Sequence, residues 1–164
     1  MAYDIGPKIS IKGEKEFNQQ LERINLSLKE YGSELKEVAS RHEENANSQQ
    51  ALIEKTDVLR KQYEAQQQKV KLYTEQLEKQ KKALKEQGEE IEKLTAKHGE
   101  NSVEVNKAKN AYANTEKNIS KLSQSINETK VFTNKLSSEI NRNNDYLEEM
   151  KNGARDAATG LEKI

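Results

Sequence analysis

Cysteine is absent from this 164-residue chain, proline occurs once, and no stretch approaches eighteen consecutive apolar residues. The first absence excludes disulfides and all thiol chemistry; a reducing compartment and a disulfide-free surface protein both fit it. The third excludes a membrane-spanning helix. Net charge is also missing, since 28 basic side chains balance 28 acidic ones, so no long-range field exists to steer DNA or an anionic membrane. Hydrophobic residues make up only 32%, against roughly 45–50% in an ordinary globular chain when glycine is included, which excludes a thick central core. The N-terminal residues Met1-Ala2-Tyr3-Asp4-Ile5-Gly6-Pro7 lack a basic stretch followed by an apolar run, so the chain reads as soluble and without an export signal.

What is present is a thin apolar stripe. Phe17, Leu21, Ile24, Leu28, Tyr31, Leu35 and Val38 fall at alternating steps of four and three, the spacing of a coiled coil. The same phase resumes at Leu52, Leu59, Tyr63, Val70, Tyr73, Leu77, Leu84, Ile91 and Leu94. It recurs at Val105, Ala108, Tyr112, Ile119, Leu122, Ile126, Leu136, Ile140, Leu147 and Met150. Disorder gives no reason for a seven-residue period, so the periodicity predicts helix despite the hydrophilic composition. A stripe this narrow is buried only against similar stripes, which points to mechanical or connective work.

Residues 1–13 read as an arm or a short strand. Gly6, Pro7 and Gly13 bracket a segment in which Ile9 and Ile11 alternate with lysine and serine. A lone strand leaves backbone groups unpaired, so Ile9, Ile11 and the following Phe17 are candidate contacts for a partner; a flexible arm is the other reading. Helix one is predicted over 14–46, opening with Glu14 and Glu16 where carboxylates suit the positive end of the helix dipole. Between Arg41 and Gln50 the heptad positions are His42, Asn45 and Gln49, and a loop is placed there; because the phase is preserved across it, one unbroken helix is the alternative.

Helix two is predicted over 47–98 and helix three over 102–151, with a hairpin turn at Gly99 and Asn101. Glycine takes the left-handed conformation that ends a helix, and Asn101 with Glu104 has capping-box spacing. Mirroring residues about the Gly99–Glu100 bond sets Leu94 against Val105, Leu77 against Leu122, Leu59 against Ile140 and Leu52 against Leu147. The predicted fold is therefore all-α: a long antiparallel coiled-coil hairpin with a shorter N-terminal helix, each arm about 75 Å at roughly 1.5 Å per residue. Ile53, Tyr146, Val131 and Phe132 widen the apolar face at the base, which helix one is expected to cover as a third strand. Gly88, opposite Ala111, is read as a soft point. Residues 152–164, from Asn152-Gly153-Ala154, are read as a flexible tail or a truncation point.

The chemistry-bearing residues have plain explanations. His42 and His98 each lie near a glutamate, but a third and fourth metal ligand are missing, so no metal is expected. Glu43-Glu44, Glu89-Glu90 and Glu148-Glu149 project in different directions from a helix with nothing apolar around them to raise a pKa. There is no Gly-rich phosphate loop, nucleophile elbow or ligand cluster, so no enzyme activity and no cofactor are expected. Glu75, Glu78 and Glu86 interleave the most basic stretch, from Lys69 to Lys85, so sequence-specific nucleic-acid binding is not expected either. Gln80 and Gln87 sit on the seam opposite Ile119 and Tyr112, where they either fix register or leave the pairing able to open.

Gly6-Pro7-Lys8-Ile9-Ser10-Ile11-Lys12-Gly13-Glu14-Lys15-Glu16-Phe17, then Leu21, Ile24, Leu28 and Leu35-Lys36, resemble the N-terminal segment of tape measure proteins from long-tailed phages. In that family a short strand, a glycine and an acidic residue precede a phenylalanine that opens a helix, followed by long coiled coils. The resemblance implies a virion structural protein that templates tail-tube assembly and length. It would sit in the host cytoplasm during assembly and then in the virion tail. Its partners would be tail-tube, tail-tip or chaperone proteins; homo-oligomerisation stays open. The apolar membrane-active stretches and wall-degrading module of that family do not appear here, which fits an N-terminal portion or a prophage remnant. A stand-alone coiled-coil adaptor, binding a partner through stalk or base, is the alternative.

Overall fold

The computed structural model describes residues 13–162, with side chains through 154. The order is α1 (Glu14–Arg41), α2 (Gln49–His98) and α3 (Val103–Glu162), with no strand among the described residues. The segment around Ile9 and Ile11 lies outside them.

Each helix begins and ends for a local reason. Gly13 precedes α1 at φ +84°, a conformation costly to any residue with a Cβ, and its carbonyl accepts the Phe17 amide at 2.8 Å. Glu14 and Glu16 occupy the first turn of α1, and Arg41 its last. The chain then breaks for seven residues. His42 and Asn45 turn it through the contacts Asn45 N to His42 O and Ser48 N to Asn45 O, both 3.0 Å. Ser48 Oγ accepts the Ala51 amide at 3.2 Å, which caps α2. Helix one is thus five residues shorter than the predicted 14–46, and an unbroken helix through this region is excluded.

At the far end of α2, Gly99 adopts φ +91° and donates its amide to Thr95 O at 2.9 Å. The cap of α3 is Ser102, whose Oγ accepts the Val105 amide at 3.2 Å; Asn101, predicted for that role, lies one residue too early. Helix three also runs eleven residues past the predicted end at 151. Gly153 does not stop it, because its φ is not positive and Ala154, Ala157 and Ala158 are strong helix formers.

The described residues divide into two compact units, each holding a stretch of all three helices. The turn unit joins 13–21 to Val70–Glu128; the loop unit joins Glu22–Lys69 to 129–162. In the loop unit the core is Val38, Ala51, Leu52, Val58, Leu59, Ala65 and Ile140, with Thr56, Thr129 and Asn143 buried among the polar residues. In the turn unit it is Leu72, Ala83, Leu94, Val105 and Ile126, with Gln76, Gln80, Gln87 and Thr115. Four of nine buried residues in the turn unit are therefore polar, so hydrophobic burial contributes less there.

Candidate functional site

The seam residues Leu52, Leu59, Tyr63, Val70, Tyr73, Leu77, Leu84, Ile91 and Leu94 on α2, and Val105, Tyr112, Ile119, Leu122, Ile126, Leu136, Ile140 and Leu147 on α3, are buried or half-buried, while Met150 at the end of the same stripe is exposed. Leu59 and Val105 are almost wholly enclosed. A second stripe escaped the sequence reading. Ala51, Val58, Ala65 and Leu72, spaced by sevens on α2, are all under a tenth exposed. Alanine is common on both surfaces and interiors, so the spacing of two alanines and two larger residues gave too weak a signal.

In the turn unit, the Phe17 ring packs on Tyr73 with centroids 6.0 Å apart and planes tilted by 53°. Phe17, a candidate partner contact from sequence, is half-buried in this internal contact. Tyr73 is also hydrogen-bonded to Ser125 on α3, so one side chain ties all three helices together. Burial raises the Tyr73 hydroxyl above its ordinary pKa, the Ser125 hydrogen bond opposes this, and the Glu128 charge adds to it. Beside Gly88, a methyl group would meet Tyr112 Cε2 at 3.6 Å, an ordinary contact distance. The space next to that glycine is thus filled by a tyrosine, where the sequence suggested a small-residue soft point opposite Ala111.

In the loop unit, α2 residues 55–60 meet α3 residues 139–144. Lys55 Nζ lies 3.1 Å from Glu139 Oε1, and the Arg60 guanidinium donates to Asn144 Oδ1 at 3.1 Å. Here α1 joins α2 through Lys61 Nζ, 3.3 Å from Glu34 Oε2 and 5.9 Å from the centre of the Tyr31 ring. At the α1–α2 junction, His42 Nε2 and Glu54 Oε2 are 2.5 Å apart, Gln50 donates to the other oxygen at 3.2 Å, and Arg41 lies 3.6 Å away. Glu54 is held below the ordinary glutamate pKa chiefly by the His42 hydrogen bond, then by that from Gln50; desolvation opposes them, and the Arg41 charge adds to the lowering. His42, weighed from sequence as a metal ligand, is instead half of a clasp between two helix ends. Beside it is a groove of about 360 Å³ lined by Leu35, Val38, Ala39, Ala46 and Ala51 with Lys36, His42 and Lys55.

Helix α1 does not cover the apolar residues expected beneath it. Ile53, Val131, Phe132 and Tyr146 remain 37%, 53%, 59% and 48% exposed, because Val38 and its neighbours pack near Ala51 on another flank of α2. Within the cores, Thr56 Oγ1, Gln80 Oε1, Gln87 Oε1 and Asn143 Nδ2 are buried without a hydrogen-bond partner among the described residues. Among the described residues, no three His, Asp or Glu side chains are grouped to hold a metal, and no helix is long and apolar enough to cross a membrane. His98 is exposed at the end of α2. Compared with family models, curated proteins and solved structures, the chain shows no match.

Proposed function

We propose that this chain is a non-enzymatic structural coiled-coil protein whose arms α2 and α3 pair antiparallel about Gly99. In this reading it serves as the N-terminal part of a tail tape measure protein does, templating tail-tube assembly and length. The pairing is supported by the left-handed Gly99, by Gly88 lying beside Tyr112 and Tyr73 bonding Ser125, and by the contacts of 55–60 with 139–144. Within the turn unit, reading α2 backward from Gly99 meets Tyr112 at Gly88 and then Ser125 at Tyr73, the order an antiparallel pair requires. Of the residues that carry the family resemblance, from Gly6 to Leu35-Lys36, Gly13 opens α1 and Phe17 packs on Tyr73.

The observation that carries the mechanical reading is the set of four orphaned polar atoms within the cores. Each costs about 1–3 kcal/mol relative to a satisfied or apolar replacement, so the pairing is held below the strength its length permits. Such pairing suits a reservoir: arms that separate into one continuous helix nearly double their contour at roughly 1.5 Å per residue. The orphaned oxygens of Gln80 and Gln87 favour opening over register, because register-fixing polar residues satisfy one another.

The test is tube assembly. Tail-tube subunits from the same genome, polymerised with the chain, are expected to give tubes of uniform length that shorten when matching heptads are deleted from α2 and α3. Tubes of indefinite length, unaffected by the chain, would refute the tape measure reading. The exposed row at Val131, Phe132 and Tyr146 favours the adaptor as the second reading, in which a pull-down depends on that row and not on arm length.

A further inference from the structure

Six of the seven large hydrophobic side chains exposed among the described residues belong to the loop unit, and the most exposed of its aromatics is Phe132. Phe132 does not stand alone on its face. Lys135, Glu139 and Arg142 follow at steps of three, four and three, which places all four in one row along α3. Lys135 Nζ is 5.9 Å from the centre of the Phe132 ring, and Glu139 is engaged by Lys55 from α2. Arg142 makes no ion pair with any described residue. The row thus reads aromatic, cation, anion, cation, and that order is complementary to its own reverse.

We propose that this row is a self-association surface, and that its occupant is the same row of a second copy running antiparallel. A two-fold axis between Lys135 and Glu139 brings Lys135 against Glu139 of the second copy and Phe132 against Arg142 of the second copy, each contact occurring twice. The guanidinium stacks on the ring face, the geometry arginine favours. Glu139 then lies between Lys55 of its own chain and Lys135 of the other, and its two oxygens have lone pairs for both. Sliding the copies by one heptad sets Phe132 against the Glu149 carboxylate, which the negative face of the ring repels, so the charge order selects the first register. The exposed Val131 flanks the row, and Tyr146, a step of four beyond Arg142, extends it as an apolar end. This inference goes beyond the proposed function and depends only on the loop unit, so it survives or fails whether or not α2 and α3 separate.

Sedimentation velocity of the full chain over a concentration series tests it. The wild-type chain is expected to shift to dimer mass with rising concentration, and K135E, E139K and F132A each to weaken the association by about 10-fold or more, with unchanged helical circular dichroism. An equimolar mixture of the K135E and E139K chains is expected to recover it, because the reversed charges meet each other at one contact and native charges meet at the other. A wild-type chain that stays monomeric throughout overturns the proposal. So do single variants that associate like wild type, or a mixture that associates no better than its components.

Discussion

Leu59 and Val105 are the side chains on which the packing depends most, each at most 1% exposed. Leu59→Ala is expected to cost about 2–5 kcal/mol in urea denaturation, since a narrow stripe has few neighbours able to close the cavity. The glycines separate by conformation. Gly99→Ala forces a Cβ into the left-handed region and is expected to destabilise by about 1–2 kcal/mol, whereas Gly88→Ala gains helix propensity and an ordinary contact with Tyr112, and is expected to stabilise by about 1 kcal/mol. At the junction, the depressed pKa of Glu54 fixes a sign. The stabilisation is fully present above the ordinary glutamate value of 4.5 and is lost as pH falls through the lower value of the folded state. Amide exchange around the loop is therefore expected to differ between wild type and Glu54→Gln at neutral pH and to converge only once the pH has fallen below the folded-state pKa of Glu54. A difference independent of pH would remove the clasp from the account. None of this clasp was legible beforehand, because His42 and Glu54 are twelve residues apart across a loop whose course no local pattern specifies.

The helices themselves were the most legible elements, and the reason is periodicity: a four-and-three spacing leaves little freedom over which face is buried. Their ends were less so. Asn101 and Ser102 are adjacent and equally able to cap, and only the backbone path decides that Ser102 does it. At the other end of α3, glycines that read as breakers are carried through, since a glycine ends a helix only when the chain uses its left-handed region. The second α2 stripe of Ala51, Val58, Ala65 and Leu72 was hidden by its alanines. The energetic consequence at this scale concerns the glutamines. Replacing Gln80 and Gln87 with leucine removes two orphaned oxygens, so the double variant is expected to raise the urea midpoint by the equivalent of about 2–4 kcal/mol. No change, or a loss of stability, would mean that these side chains are satisfied in solution and that the α2 pairing is not poised to open.

For the molecule as a whole, the low hydrophobic content and balanced charge in the sequence point to mechanics over chemistry, while the uncovered Phe132 row is not legible there. A residue beside a seam reads as covered when a third helix is at hand, and the flank that helix selects depends on the seven-residue loop joining it to α2. The antiparallel pairing about Gly99 is the claim on which the mechanical account rests. Because the chain has no cysteine, dyes can be attached at Glu75→Cys and Gln124→Cys alone, both exposed positions in the turn unit and mirror-related about the turn. Single-molecule energy transfer reads their separation free of any self-association. Paired arms with axes about 10 Å apart predict a separation below roughly 30 Å with dye linkers included, and a single value near 75 Å, the length of about fifty residues of unbroken helix, would contradict the account.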